Sequence, residues 1–89
     1  MAGYKRKVGD KMLKFILEKE TDKDVFYRYY PEGSEDSGVV SYDKEKKECS
    51  IVTLSAQDRH QRYACKMFAR IRTYATNGSF EKEGMVAWY

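Results

Sequence analysis

Histidine and cysteine are the side chains best suited to nucleophilic or metal chemistry, and this sequence holds one His, His60, and two Cys, Cys49 and Cys65. A Cys–His nucleophile pair needs the two groups within hydrogen-bond reach, with a third group orienting the base. His60 and Cys65 lie five positions apart, about 140° around a helix, and do not share a face. On a helix His60 falls near Ala64 and Met67, where it reads as a packed residue, and both cysteines read as small fillers. Metal binding needs three or four ligands, which one His and scattered Cys do not supply. The carboxylates of 32–36 lack the spacing of a calcium loop. Gly33 and Gly38 do not frame the strand-to-helix turn of a phosphate-binding loop. These residues predict a protein that is not an enzyme, with no catalytic set, no cofactor and no metal.

Charge offers more. Arg59, Arg62, Lys66 and Arg70 follow one another at spacings of three, four and four, which on a helix makes a cationic stripe opposite the apolar face. Asp58 is its one acidic neighbour and is placed to pair with Arg62 at i, i+4. Like charges at this spacing cost a few tenths of a kcal/mol each, so helix stability does not call for them. Eight tyrosines are the second feature, with Tyr27, Tyr29, Tyr30 and Tyr42 on adjacent expected strands. Val25, Tyr27 and Tyr29 share one face of their strand, and Phe26, Arg28 and Tyr30 share the other. Whichever face turns outward presents aromatic rings, a composition common at protein interfaces.

Elements to position these groups follow from periodicity. Residues 1–11 show no apolar period and read as a flexible basic arm. Leu13, Phe15 and Leu17 alternate with Lys14, Ile16 and Glu18 as a half-buried strand. Val25–Tyr30 is β-branched and aromatic and closes at Pro31. An acidic loop over 31–38 leads to a short strand, Val39–Tyr42, and a polar connection leads to a fourth over Glu48–Leu54. The period then changes to that of a helix from about Ala56 to Thr76, with Ser55 as N-cap and Asp58 in the first turn. Its expected apolar face is His60, Ala64, Met67, Phe68, Ile71, Tyr74 and Ala75, and Asn77-Gly78 ends it. Met85–Tyr89 reads as a terminal strand. The expected architecture is a single α+β domain: an antiparallel four-stranded meander over 12–54, one C-terminal amphipathic helix over 55–77 packed on one face, and a short strand over 85–89.

Size and balance agree with this. Eighty-nine residues bury about two-thirds of their unfolded surface and support one thin core. The formal charge is +3, but it alternates along the chain: residues 20–48 hold five basic and nine acidic groups, and 49–78 hold five basic and one acidic. Such a polar molecule suits an oriented encounter with a charged partner. No run approaches the ~20 apolar residues of a membrane helix. The basic N-terminus lacks the apolar core of a signal peptide. Two cysteines are too few for a disulfide-built secreted domain, so both are expected reduced in a cytoplasmic protein.

The stretches Tyr27-Arg28-Tyr29-Tyr30-Pro31-Glu32-Gly33 and Glu83-Gly84-Met85-Val86-Ala87-Trp88-Tyr89 together resemble short proteins of gut Firmicutes and their mobile elements, from about residue 24 onward. The resemblance implies a bacterial cytosolic setting and carries no activity, cofactor or catalytic residue. The expected function is a non-enzymatic, accessory or inhibitor-like binding module. Arg59, Arg62, Lys66 and Arg70 would meet an acidic patch on a protein partner, with Tyr27, Arg28 and Tyr30 contributing from the sheet. The runner-up is a small nucleic-acid-binding protein using the same stripe, and a small-molecule binder or enzyme subunit comes third. No membrane is expected, and both monomer and homodimer are compatible with the sequence.

Overall fold

Strict alternation of side chains across a strand sorts each half-buried segment into an inner and an outer row, and five such segments form one antiparallel sheet. The computed structural model describes residues 11–88, so the expected arm lies, apart from Lys11, outside the described residues, as does Tyr89. In chain order the elements are β1 (Lys11–Glu20), β2 (Asp24–Pro31), β3 (Gly38–Asp43), β4 (Glu48–Thr53), a 3₁₀ turn (Ala56–Asp58), α1 (Arg62–Asn77) and β5 (Glu83–Trp88). The sheet order is β4-β3-β2-β1-β5, so the meander is a true one and β5 pairs with β1 at the opposite edge from β4.

The helix α1 covers one face of the sheet. Leu13 and Phe15 from β1, Val25, Tyr27 and Tyr29 from β2, and Val40 and Tyr42 from β3 meet Ala64, Met67, Ile71 and Tyr74 from α1 in one core. Phe15 and Tyr27 sit edge to face at 5.5 Å between ring centroids, and the Tyr74 ring lies 6.3 Å from each. Tyr27 donates its hydroxyl to the Glu81 carbonyl, which ties the link from α1 to β5 across the sheet. Gly84 brings the β5 backbone close over the core: a Cβ there would stand 2.6 Å from the Phe15 ring.

The helix boundaries differ from the expected ones at one end only. Its C-terminus is as expected: Gly78 takes φ +82°, its N–H reaches the Ala75 and Tyr74 carbonyls, and the Ser79 N–H also reaches Tyr74. This is the Schellman arrangement that Asn77-Gly78 suggested. The N-terminus is not at Ala56. Ser55 caps a 3₁₀ turn, its Oγ accepting from the Gln57 N–H, and Gln61 at φ +60° then breaks the path before α1 starts at Arg62. His60 therefore precedes the helix and is exposed, a correction to its expected place on the apolar face. Ala64, Met67, Ile71 and Tyr74 are buried as expected, with Phe68 and Ala75 partly so.

Candidate interaction surfaces

A single buried carboxylate sets where the basic helix sits. Gln61, the N-cap residue of α1, offers no side-chain hydrogen bond, so the exposed N–H groups of the first turn need another acceptor. Asp58 supplies it from outside the helix: Oδ1 accepts from the Tyr63 N–H at 2.9 Å and Oδ2 from the Ala64 N–H at 2.9 Å. Oδ2 also accepts from the Tyr29 hydroxyl at 3.1 Å, so the same group fastens the helix to β2. The Ser55 N–H donates to the Tyr29 oxygen at 3.4 Å, and the Ser55 hydroxyl donates to the Asp36 carbonyl, drawing in the 32–37 loop. At 2 % exposure Asp58 is a structural group, and the expected Asp58–Arg62 ion pair does not form. By type and spacing Ser55 and Asp58 read as caps of one helix. Their link to Tyr29 is long-range in sequence and carried no local signal.

The cations expected to form the stripe are exposed or half-exposed, but not in one line. Arg62 starts on the crest of α1, and Lys66 and Arg70 step about 40° each toward one flank, while Arg59 lies in the turn before the helix. At 3.6 residues per turn the crest directly above the core belongs to Cys65, Ala69, Thr73 and Thr76 together with Arg62, all exposed, and Arg72 lies on the other flank. The stripe thus leaves a mostly small-residue crest at Arg62 and runs off to one side. α1 carries four basic residues and no acidic one. The ion pairs among the described residues, Arg28–Glu18 and Lys44–Glu20, engage none of Arg59, Arg62 and Arg70.

The three sheet residues divide. Tyr27 is fully buried beneath α1, a core residue that presents nothing to a partner. Tyr30 and Arg28 lie on the uncovered face, where Ile16 is 46 % and Met85 53 % exposed. Arg28 is already engaged: its Nε and Nη2 donate to the Glu18 carboxylate at 2.9 and 3.3 Å, and its Nη1 donates to Ser37 at 2.8 Å. That pair lowers the Glu18 pKa and raises that of Arg28. Lys14, Ile16, Tyr30, Ser34, Glu35 and Glu83 line a groove of about 380 Å³ between this face and the 32–37 loop.

The residues considered for chemistry do not converge. Cys49 on β4 and Cys65 on α1 are free thiols, and burial pushes the Cys49 pKa up despite Arg72 nearby, which works against a thiolate. Among the described residues no three His, Cys, Asp or Glu side chains are grouped to hold a metal, and no helix is long and apolar enough to cross a membrane. No family model, curated protein or solved structure matches the chain.

The buried phenols make a pH prediction. Burial raises the Tyr29 pKa from 10.0 to about 12, with the Asp58 carboxylate adding to it. Burial likewise raises Tyr27, and burial together with the bond to Glu32 raises Tyr63. A raised pKa means the folded state holds the proton more tightly than the unfolded chain. The Tyr29 contribution is therefore complete below pH 10 and is lost as pH rises through about 12, and those of Tyr27 and Tyr63 begin to fall over the same range. Alkaline unfolding followed by circular dichroism is expected within that window, with phenolate absorbance rising in step. Full ionisation of every phenol on a folded chain would contradict it.

Proposed function

We propose that this protein is a non-enzymatic binding module that docks on an acidic patch of another protein through the cationic flank of α1. One observation carries the reading: a solvent-facing helix with four cations, no anion, and three of the cations at successive fourfold spacings. An ordinary solvated helix gains from mixed i, i+4 pairs, whereas this one accepts like-charge spacing that costs about 0.2–0.5 kcal/mol per pair. Charges arranged this way favour fast, oriented encounter more than raw affinity. The small crest of Cys65, Ala69 and Thr73 lets a partner backbone come close while the flanking guanidinium groups reach its carboxylates. Tyr30 on the uncovered sheet face is a separate aromatic contact.

Reversing Arg59, Arg62 and Arg70 to Glu tests this. The side chains are exposed or half-exposed, so the variant is expected to melt within a few degrees of the parent. It is also expected to lose a protein that the parent captures from its own host lysate and releases at high salt. Retention of that protein by the variant overturns the reading. So does capture abolished by nuclease, together with duplex DNA affinity that falls with log salt at a slope of about −3.6, the value for four phosphate contacts.

A further inference from the structure

We infer that β5 is a self-pairing edge, through which two copies of this chain join their sheets antiparallel about a two-fold axis at Met85. The hydrogen-bond parity of the sheet carries the inference. The Leu17 N–H donates to the Lys82 carbonyl at 2.7 Å, so Leu17 and Lys82 form a hydrogen-bonded pair between β1 and the start of β5. Such pairs alternate with non-bonded ones in an antiparallel ladder. The register runs unbroken from Ile16↔Glu83 to Lys11↔Trp88. Gly84 and Val86 therefore bond to β1, whereas Glu83, Met85 and Ala87 turn their N–H and C=O groups away from it. The other side of β1 agrees with this parity. The Glu32 N–H donates to the Met12 carbonyl, and Pro31, which has no N–H, falls opposite Leu13 at a non-bonded position.

Three outward residues at alternate positions are symmetric about the middle one. Two β5 strands run antiparallel with Met85 opposite Met85 place Glu83 opposite Ala87 in both copies. All six outward groups of each strand are then matched, and no like charges stand opposite each other, which is the usual cost of self-pairing. Met85, 53 % exposed, meets its twin on the uncovered face. Exposed edges are ordinarily blunted by Lys, Pro or a bulge. β5 has none of these between Glu83 and Trp88. β4, the other edge, is blunted: its register shifts at Val52, which stands as the extra residue between Ile51 and Thr53.

Both the parity and the register are testable. Sedimentation over a rising concentration series is expected to show a mass moving from 10.5 kDa toward twice that value. Met85→Pro removes an N–H that β1 does not use, so it is expected to keep the fold and stay monomeric; Pro is tolerated at such edge positions. Met85→Lys keeps every backbone group, sets two cations together at the axis, and is expected to weaken association at least tenfold. In a chain also carrying Cys49→Ser and Cys65→Ser, Met85→Cys is expected to form a disulfide-linked dimer, because opposed bonded residues lie ~5.5 Å apart at Cα. Glu83→Cys is expected to form little. A parent that stays monomeric throughout, a dimer that survives folded Met85→Pro or Met85→Lys, or equal cross-linking at 83 and 85 overturns the inference.

Discussion

An Asp58→Ala variant is expected to lose about 3 kcal/mol of unfolding free energy, read as a lower urea midpoint at unchanged slope. Loss of a helix cap alone costs about 1 kcal/mol. Here the same truncation also strands the buried Tyr29 hydroxyl and the Ala64 N–H, and each unsatisfied buried group adds about 1–3 kcal/mol. Against a total of roughly 0.05–0.15 kcal/mol per residue, this takes a large share of the stability of an 89-residue chain. Asp58→Asn retains one acceptor oxygen and is expected to lose about 1 kcal/mol. Tyr29→Phe leaves Asp58 with both helix N–H groups, so a double-mutant cycle isolates the bond between strand and cap. A loss below 0.5 kcal/mol in Asp58→Ala, about the size of an ordinary surface change, would show that water caps the helix as well as the carboxylate does.

Gly38→Ala is expected to cost a similar amount, about 2–3 kcal/mol, by overfilling the core and not by emptying it. A Cβ at Gly38 would stand 2.5 Å from the Tyr29 ring and 2.7 Å from the Thr53 carbonyl. The ring is pinned through its hydroxyl and the carbonyl belongs to the neighbouring strand, so neither yields easily. Gly33→Ala is the control for backbone conformation without contact: φ is +75° and nothing lies within 4 Å of the added carbon. A thermal melt in which Gly38→Ala is no worse than Gly33→Ala would remove the steric account.

Strand identity was legible because alternation is a local property. Leu13, Phe15, Val25, Tyr27 and Tyr29 declare a two-residue period within a few positions of one another, and each is buried. Parity was legible too: Tyr27 and Tyr29 share one face and Tyr30 takes the other. Which face the helix covers depends on contacts across the whole fold, so Tyr27 read equally well as an anchor and as core. The helix start differs from its sequence signal for a related reason. Ser55 and Asp58 have the right types for a cap, but α1 begins four residues after Asp58, beyond a left-handed Gln61. A carboxylate that caps from a distance looks the same in sequence as one that caps its own first turn. The cationic residues themselves were visible at once, because spacing alone places them on the solvent side of α1. Their drift toward one flank follows from the fourfold spacing, which turns about 40° per step on a helix of 3.6 residues per turn, and the late start carries Arg59 off the helix.

The strand order has a consequence for how the chain reaches this state. β1 to β4 pair with sequence neighbours through short turns, so that ladder closes through small loops. β5 alone returns across the whole domain, setting Trp88 beside Lys11. Contacts so remote in sequence slow the search, and they place the docking of β5 last in the order of assembly. Until it arrives, Leu13, Phe15 and Leu17 turn bare amides outward along the open edge of a nascent sheet. The vulnerable intermediate is therefore a four-stranded species with its first-made strand still open on one side.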